Sequence, residues 1–128
     1  MYQLIFLIFF LINKIVCQNK DDRPTIENLH PSPTLIEGRK FFITCQINNS
    51  PDNLIFEWYL NERKILPNEN IVINQHEDNS QLNIKRMSLE YSGEYTCKVS
   101  NSLGVQDSKS ILVKLNGKLF SIIFDNFK

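Results

Sequence analysis

Leu82–Gly104 reads LNIKRMSLEYSGEYTCKVSNSLG, and the fold is decided here. Leu82 and Ile84 alternate with polar neighbours, the period of a strand with one buried face. A polar corner follows, and beyond Ser92-Gly93 the alternation resumes at Tyr95, Cys97 and Val99. Upstream, Lys40–Asn48 places Phe41, Ile43, Cys45 and Ile47 on one face and Phe42, Thr44 and Gln46 on the other. Leu54–Leu60 directs Phe56, Trp58 and Leu60 inward and Ile55, Glu57 and Tyr59 outward. Shorter pieces fill the gaps: a first strand starting at Pro24-Thr25-Ile26, an edge segment at Lys64–Leu66 ended by Pro67, and a strand carrying Ile71 and Ile73. Pro31 and Pro33, which cannot donate to a ladder, suit an edge strand that moves from one sheet to the other. Glu37-Gly38 makes the turn into the next strand, and the polar run Gln75–Ser80 reads as a loop. Val105–Leu115 closes the set with Ile111, Val113 and Leu115 inward. About eight short strands with turns at regular spacing, and no helical period among them, predict an all-β sandwich of two sheets.

The order Cys45…Trp58…Tyr95-Thr96-Cys97 resembles the immunoglobulin superfamily. The resemblance implies an immunoglobulin-like β-sandwich of two antiparallel sheets with Greek-key connections. It implies a Cys45–Cys97 disulfide with Trp58 packed across the core from it. It also implies that Tyr95 forms a tyrosine corner, its hydroxyl bonding back to upstream backbone. Asn101, four residues after Cys97, and Gly104, three further on, resemble the hairpin signature of the family's intermediate set, in company with Glu37-Gly38 and Leu82-x-Ile84. The resemblance covers Pro24–Leu115. One position departs from it. The family usually carries Asp six residues before the second cysteine, paired with a basic residue soon after the position of Pro67. Here that position is Tyr91, and no Lys or Arg occurs between Lys64 and Lys85, so no half of the ion pair is left buried alone.

The chain's 128 residues divide accordingly. Residues 1–17 read as a signal peptide. Tyr2–Ile12 is an almost unbroken apolar run, too short for the roughly 20 residues of a membrane helix. Cleavage after Cys17 leaves Cys45 and Cys97, an even count suited to one bridge in an oxidising compartment; in the cytosol the same pair would stay reduced within the same fold. A buried strand or an uncleaved anchor is the alternative for the run. Residues 18–23 are a charged lead-in, 24–115 the domain, and 116–128 a short tail or a truncated end. Leu119–Phe124 (LFSIIF) could add a strand.

Fourteen basic and fourteen acidic side chains cancel, which removes the global field expected of a nucleic-acid binder. His30 and His76 stand apart from any ligand-spaced cysteine or histidine, no glycine-rich phosphate loop occurs, and Ser92-Gly93 lacks the flanks of a nucleophile elbow. A non-enzymatic chain with no cofactor and no metal site is expected. Asn48-Asn49-Ser50 is a glycosylation sequon weakened by Pro51. Protein partners are expected on a sheet face or at loop ends. The outward set Ile55, Glu57, Tyr59, Glu94, Thr96 and Lys98 forms one such face with Tyr59 as its aromatic anchor, and Phe42 is the candidate on the other sheet. The pairs Arg39-Lys40, Arg63-Lys64 and Lys85-Arg86 would suit a sulfated glycan if the fold gathered them. SGEYTCKV with Leu103-Gly104 resembles the immunoglobulin domain of neuregulin-type growth factors, which implies that alternative. A secreted, extracellular recognition or adhesion module within a larger protein is the expectation. An intracellular spacer domain like those of titin-like muscle scaffolds is the rival.

Overall fold

The computed structural model describes residues 1–16, 23–49, 53–116 and 119–123. Helix α1 spans Tyr2–Val16. Among the described residues nine strands follow: β1 Ile26–Pro31, β2 Phe41–Ile47, β3 Ile55–Leu60, β4 Arg63–Lys64, β5 Ile71–Gln75, β6 Asn79–Ile84, β7 Gly93–Ser100, β8 Gln106–Asn116 and β9 Leu119–Ile123. One sheet has the order β1-β2-β6-β5 and the other β4-β3-β7-β8-β9, with every pair antiparallel. The chain changes sheet between β2 and β3, β4 and β5, and β6 and β7. This is the two-sheet sandwich that the alternation predicts.

The inward sets meet between the layers. Phe41, Ile43, Cys45 and Ile47 of β2 face Trp58, Tyr95, Cys97, Val99, Ile111 and Val113 of the opposite sheet, all buried. At the centre Cys45 and Cys97 form a disulfide that joins β2 to β7. The closed loop spans 52 residues, for which the chain-entropy account gives about 4 kcal/mol of stabilisation. Beside the bridge the Trp58 indole N–H donates to Ser80 Oγ at 3.0 Å, so the most buried polar side chain of β6 satisfies the one polar atom of the largest core residue.

The Tyr95 hydroxyl donates to the carbonyl of Tyr91, which ends a short 3-10 turn at Leu89–Tyr91. Burial pushes the Tyr95 phenol far above its ordinary range, so it stays a donor at every physiological pH. Tyr91 packs its ring against the core at the position where the family carries its aspartate.

Several elements differ from the sequence reading. The loop expected over Gln75–Ser80 is a tight hairpin: Gln75 pairs with Ser80, and His76 N–H donates to the Asn79 carbonyl at 2.8 Å. Its polar composition misleads because the outward positions of β5 and β6 carry amides and the inward Ser80 serves the indole. The edge segment is shorter than Lys64–Leu66. Arg63 and Lys64 form the strand, the Ile65 N–H still donates to the Trp58 carbonyl at 2.8 Å as its side chain turns into the core, and Leu66 is exposed. Leu60, expected inward, is only partly buried against the core. β1 does not cross between sheets: it pairs with β2 as far as Pro31 opposite Ile43. Side chains tie it to the other layer instead. Asp107 Oδ2 accepts the Ile26 N–H at 2.8 Å, and Lys109 Nζ donates to the Glu27 carbonyl at 2.6 Å. At the other end of the chain Leu119–Ile123 does add a strand, paired with Leu112–Asn116; Phe124 lies outside the described residues.

One turn locks β3, β4 and β7 together. Asn61 and Glu62 have φ of 48° and 67°, the two positive values of a two-residue type I′ hairpin. Asn61 Oδ1 then accepts the Glu94 N–H at 2.9 Å, directly over Gly93. Gly93 has φ of 148°, and a Cβ there would lie 2.8 Å from Asn61 Cγ. Gly93→Ala is therefore expected to lower stability by about 1–3 kcal/mol in urea unfolding. The loss should shrink in an Asn61→Ala background, where the obstructing amide is gone.

Candidate recognition face

The outward residues of β3, β4, β7 and β8 form a four-strand surface whose rows follow from register. Lys64, Tyr59, Thr96 and Ser110 make one row; Glu57, Lys98 and Ser108 make the next. Along β3 and β7 alternation sends the neighbours Phe56, Trp58, Tyr95, Cys97 and Val99 into the core, so Glu57, Tyr59, Thr96 and Lys98 face out. Lys64 Nζ lies 2.8 Å from Glu57 Oε2, and the Tyr59 hydroxyl donates to the same oxygen at 3.2 Å. The Thr96 and Ser110 hydroxyls are 2.7 Å apart. Ile55, 57% exposed, is the apolar member at one end.

Charge on this face is held within a small network. The hydrogen bond from Lys64 lowers the Glu57 carboxyl below its ordinary range despite some desolvation, and the same contact raises Lys64. Tyr59 is raised by desolvation and by its bond to Glu57. Tyr59 is thus a half-buried ring with its hydroxyl already engaged, presenting one face to solvent. Such a surface suits a partner that is itself mixed in polarity. It carries no nucleophile–base arrangement, and among the described residues no group of three or more His, Cys, Asp or Glu is placed to hold a metal ion.

The remaining sequence-derived residues sit elsewhere. Asn101, nearly buried, accepts the N–H groups of Leu103 and Val105 on its Oδ1 at 3.0 and 2.9 Å. The Gly104 N–H returns to the Asn101 carbonyl with φ of 80°, which is why this spacing marks the β7–β8 hairpin. Leu82 is a core residue of β6. Asn48 is exposed just past β2 with its N–H bonded to the Thr25 carbonyl; Ser50 and Pro51 of the sequon lie outside the described residues. Arg39 and Lys85-Arg86 come to neighbouring segments, since the Met87 N–H donates to the Arg39 carbonyl, whereas Arg63-Lys64 lies on β4 with Lys64 committed to Glu57. Tyr91 lines an open groove of about 610 Å³ with Leu60, Ile65, Leu66 and Ile71.

Lys64 and Ser80 are two working residues that composition does not mark. Lys64 becomes a member of the face only through the type I′ turn, which sets it opposite Tyr59; the Leu60-Asn61-Glu62-Arg63 spacing carried that signal. Ser80 has the composition of a loop, though its two-residue offset from Leu82 places it on the inward face.

The bridge between two antiparallel sheets, the tyrosine corner and the Asn101–Gly104 hairpin define an immunoglobulin-type sandwich. The family model for the immunoglobulin domain matches residues 23–101, and the chain belongs to this family. Neuronal growth regulator 1 of Gallus gallus is 33% identical over 86 residues, covering 66% of this chain and 24% of that protein. Pro-neuregulin-1, membrane-bound isoform, of Rattus norvegicus is 40% identical over 77 residues, covering 57% of this chain and 11% of that protein. Titin of Drosophila melanogaster is 31% identical over 86 residues and 66% of this chain. The chain thus spans a quarter or less of these relatives. Among solved structures, the Dscam1 Ig7 domain, isoform 9, superposes with a TM-score of 0.65 at 19% identity, over 73% of this chain and 99% of that one, a likeness of fold.

The Glu57–Lys64 pair yields a sign-defined test. Glu57 is depressed on folding, so its pairing adds stability above the unfolded carboxylate range and loses it as pH falls through the folded value. Lys64 is raised, so its contribution is present below the unfolded lysine range and fades as pH rises through the folded one. Lys64→Met removes the largest cause of the lowering, so the Glu57 titration should move upward toward the ordinary carboxylate range, read by carboxyl NMR, with the fold unchanged.

Proposed function

We propose that the protein is an extracellular recognition module of the immunoglobulin family, exported by its N-terminal segment and acting by binding a protein partner rather than by catalysis. In this reading residues 1–17 are removed, 24–115 form the working domain, and the β3–β4–β7–β8 face or the loop ends meet the partner. The observation that carries it is the Cys45–Cys97 disulfide, a bond that persists in oxidising compartments and is kept reduced in the cytosol. The N-terminal helix supports the same reading. Its large apolar side chains from Leu4 to Phe10 are 49% or more exposed, an arrangement suited to a segment that leaves before the domain works. No helix among the described residues is long and apolar enough to cross a membrane. Relatives named for neuronal growth regulation and for a membrane-bound isoform are consistent with a place at the cell surface.

Similarity to titin keeps the rival in view: an intracellular spacer domain with reduced cysteines. One preparation separates the two. Protein collected from the medium of expressing cells should begin at Gln18 and have a mass two hydrogens below that of the reduced chain. Retention in the cytosol with both thiols free would contradict the proposal.

A further inference from the structure

An edge strand offers unpaired main-chain groups to any chain that meets it, and two edges of this sandwich are closed by side chains. At β1, Asp107 takes the Ile26 N–H and Lys109 bonds to the Glu27 carbonyl. At β5, Asn68 Oδ1 accepts the Ile71 N–H at 2.9 Å, and the Asn68 N–H donates to the Ile71 carbonyl at 3.0 Å. Among the described residues no side chain closes the β4 edge in this way. Leu60 pairs with Arg63 and the Ile65 N–H bonds to the Trp58 carbonyl, so Lys64 lies between two bonded positions, opposite Tyr59. In an antiparallel ladder that places the Lys64 N–H and C=O on the side away from β3. Leu66 repeats the phase two residues on, and Pro67 after it favours an extended Leu66.

Against this open edge lies the groove of about 610 Å³. It runs between β4, at the end of one sheet, and β5, at the end of the other. Leu60, Ile65, Ile71 and Tyr91 give it an apolar lining, and Leu66, 68% exposed, meets water beside them. Three charged side chains also line it: Arg63, Lys64 and Glu90. Lys64 is balanced by Glu57, and Glu90 accepts from Ser88 Oγ at 3.2 Å. Arg63 is exposed, with no carboxylate in contact among the described residues. The groove thus combines open main-chain groups, an apolar floor and one unbalanced cation.

We infer that an extended, acidic segment of a partner protein adds to the β4 edge, pairing with the main chain of Lys64 and Leu66 and setting apolar side chains into the groove. This rests on the recognition reading and moves its contact from the sheet face to the sheet edge. Main-chain pairing holds the segment, and the groove selects its side chains. Strand side chains alternate, so every second residue enters the groove and must be apolar, while the others stay in solvent. Their burial removes the exposed surface of Leu66 and Tyr91 from water. A carboxylate on the segment meets the Arg63 guanidinium, which offers two parallel donors. A basic segment would instead face Arg63 and Lys64 together. A helix has its main-chain donors already spent within itself and has none to give Lys64 and Leu66. The edge from Lys64 to Leu66 is about 7 Å long, so the contact is short and readily reversible.

Amide NMR titration of the disulfide-bonded chain tests this, with protein taken from the medium or refolded if export fails. The probe is the capped peptide Thr-Leu-Thr-Leu-Glu-Leu-Thr, added to about 1 mM, the weak end of measurable affinity. The Lys64 and Leu66 amides should shift and become protected from hydrogen exchange. Methylating the peptide nitrogens of one alternate set of residues should abolish binding, and of the other set should leave it, because only one set faces the edge. Leu66→Ser should weaken binding about threefold or more. Arg63→Glu should do the same, and replacing the peptide's Glu by Lys should restore it. Thr96→Lys on the sheet face should change nothing, and thermal melts establish that each variant is folded. Absence of shifts in the folded wild type overturns the inference and leaves the recognition reading intact. Shifts confined to Leu119–Ile123 assign strand addition to β9, and indifference to both methylated sets assigns side-chain docking alone; either overturns it. Retention in the cytosol with free thiols contradicts the recognition reading separately, while the titration of refolded protein still reads the β4 edge.

Discussion

The Cys45–Cys97 bridge is the constraint on which the rest of the structure depends. It ties the middle of β2 to the middle of β7, each flanked by a strand on both sides in its own sheet. Packed around it are Trp58, anchored by Ser80, and Tyr95, anchored by the Tyr91 carbonyl. Each aromatic brings one polar atom into the core, and each finds its partner there; among the described residues no buried side-chain nitrogen or oxygen lacks one. The two layers are thus joined by a covalent bond and by the Trp58–Ser80 hydrogen bond, while the Tyr95 hydroxyl fixes the turn that leads into β7.

With the layers fixed, both outer faces become rigid platforms. The turn at Asn61-Glu62 brings Lys64 beside Tyr59 and gives one face an oriented charge network. The tight β5–β6 hairpin sets the amides of the other face in rows. Neither face is a cleft, so under the proposed recognition role binding would depend on row composition more than on any single side chain. The departure at Tyr91 belongs to the same economy. An aromatic that packs against the core and lends its carbonyl to Tyr95 replaces an ion pair whose burial would have carried a desolvation cost.

Much of this was legible in the chain because burial leaves a period of two. Phe41 to Ile47, Phe56 to Trp58 and Tyr95 to Val99 identified the inward faces without ambiguity, and the cysteines stood on those faces. The outward faces left no such record. Gln75–Ser80 looked like a loop because a solvent-side strand rich in amides has a loop's composition, and only the geometry of the His76–Asn79 turn distinguishes them. The prolines around β1 suggested a crossing that the side chains of Asp107 and Lys109 make unnecessary, since they bind the strand across the layers without a ladder. Tyr59 was found by alternation, but its engagement by Glu57 and Lys64 depends on a turn type that composition alone does not specify.

Equilibrium urea unfolding of the oxidised protein against its Cys45→Ala/Cys97→Ala counterpart tests the central dependence most directly. If the bridge holds two otherwise complementary layers, the variant should keep the same β-sheet spectrum and lose about 4 kcal/mol, the value for closing a loop of this size. Equal stabilities would contradict the account and place the organising interaction elsewhere in the core.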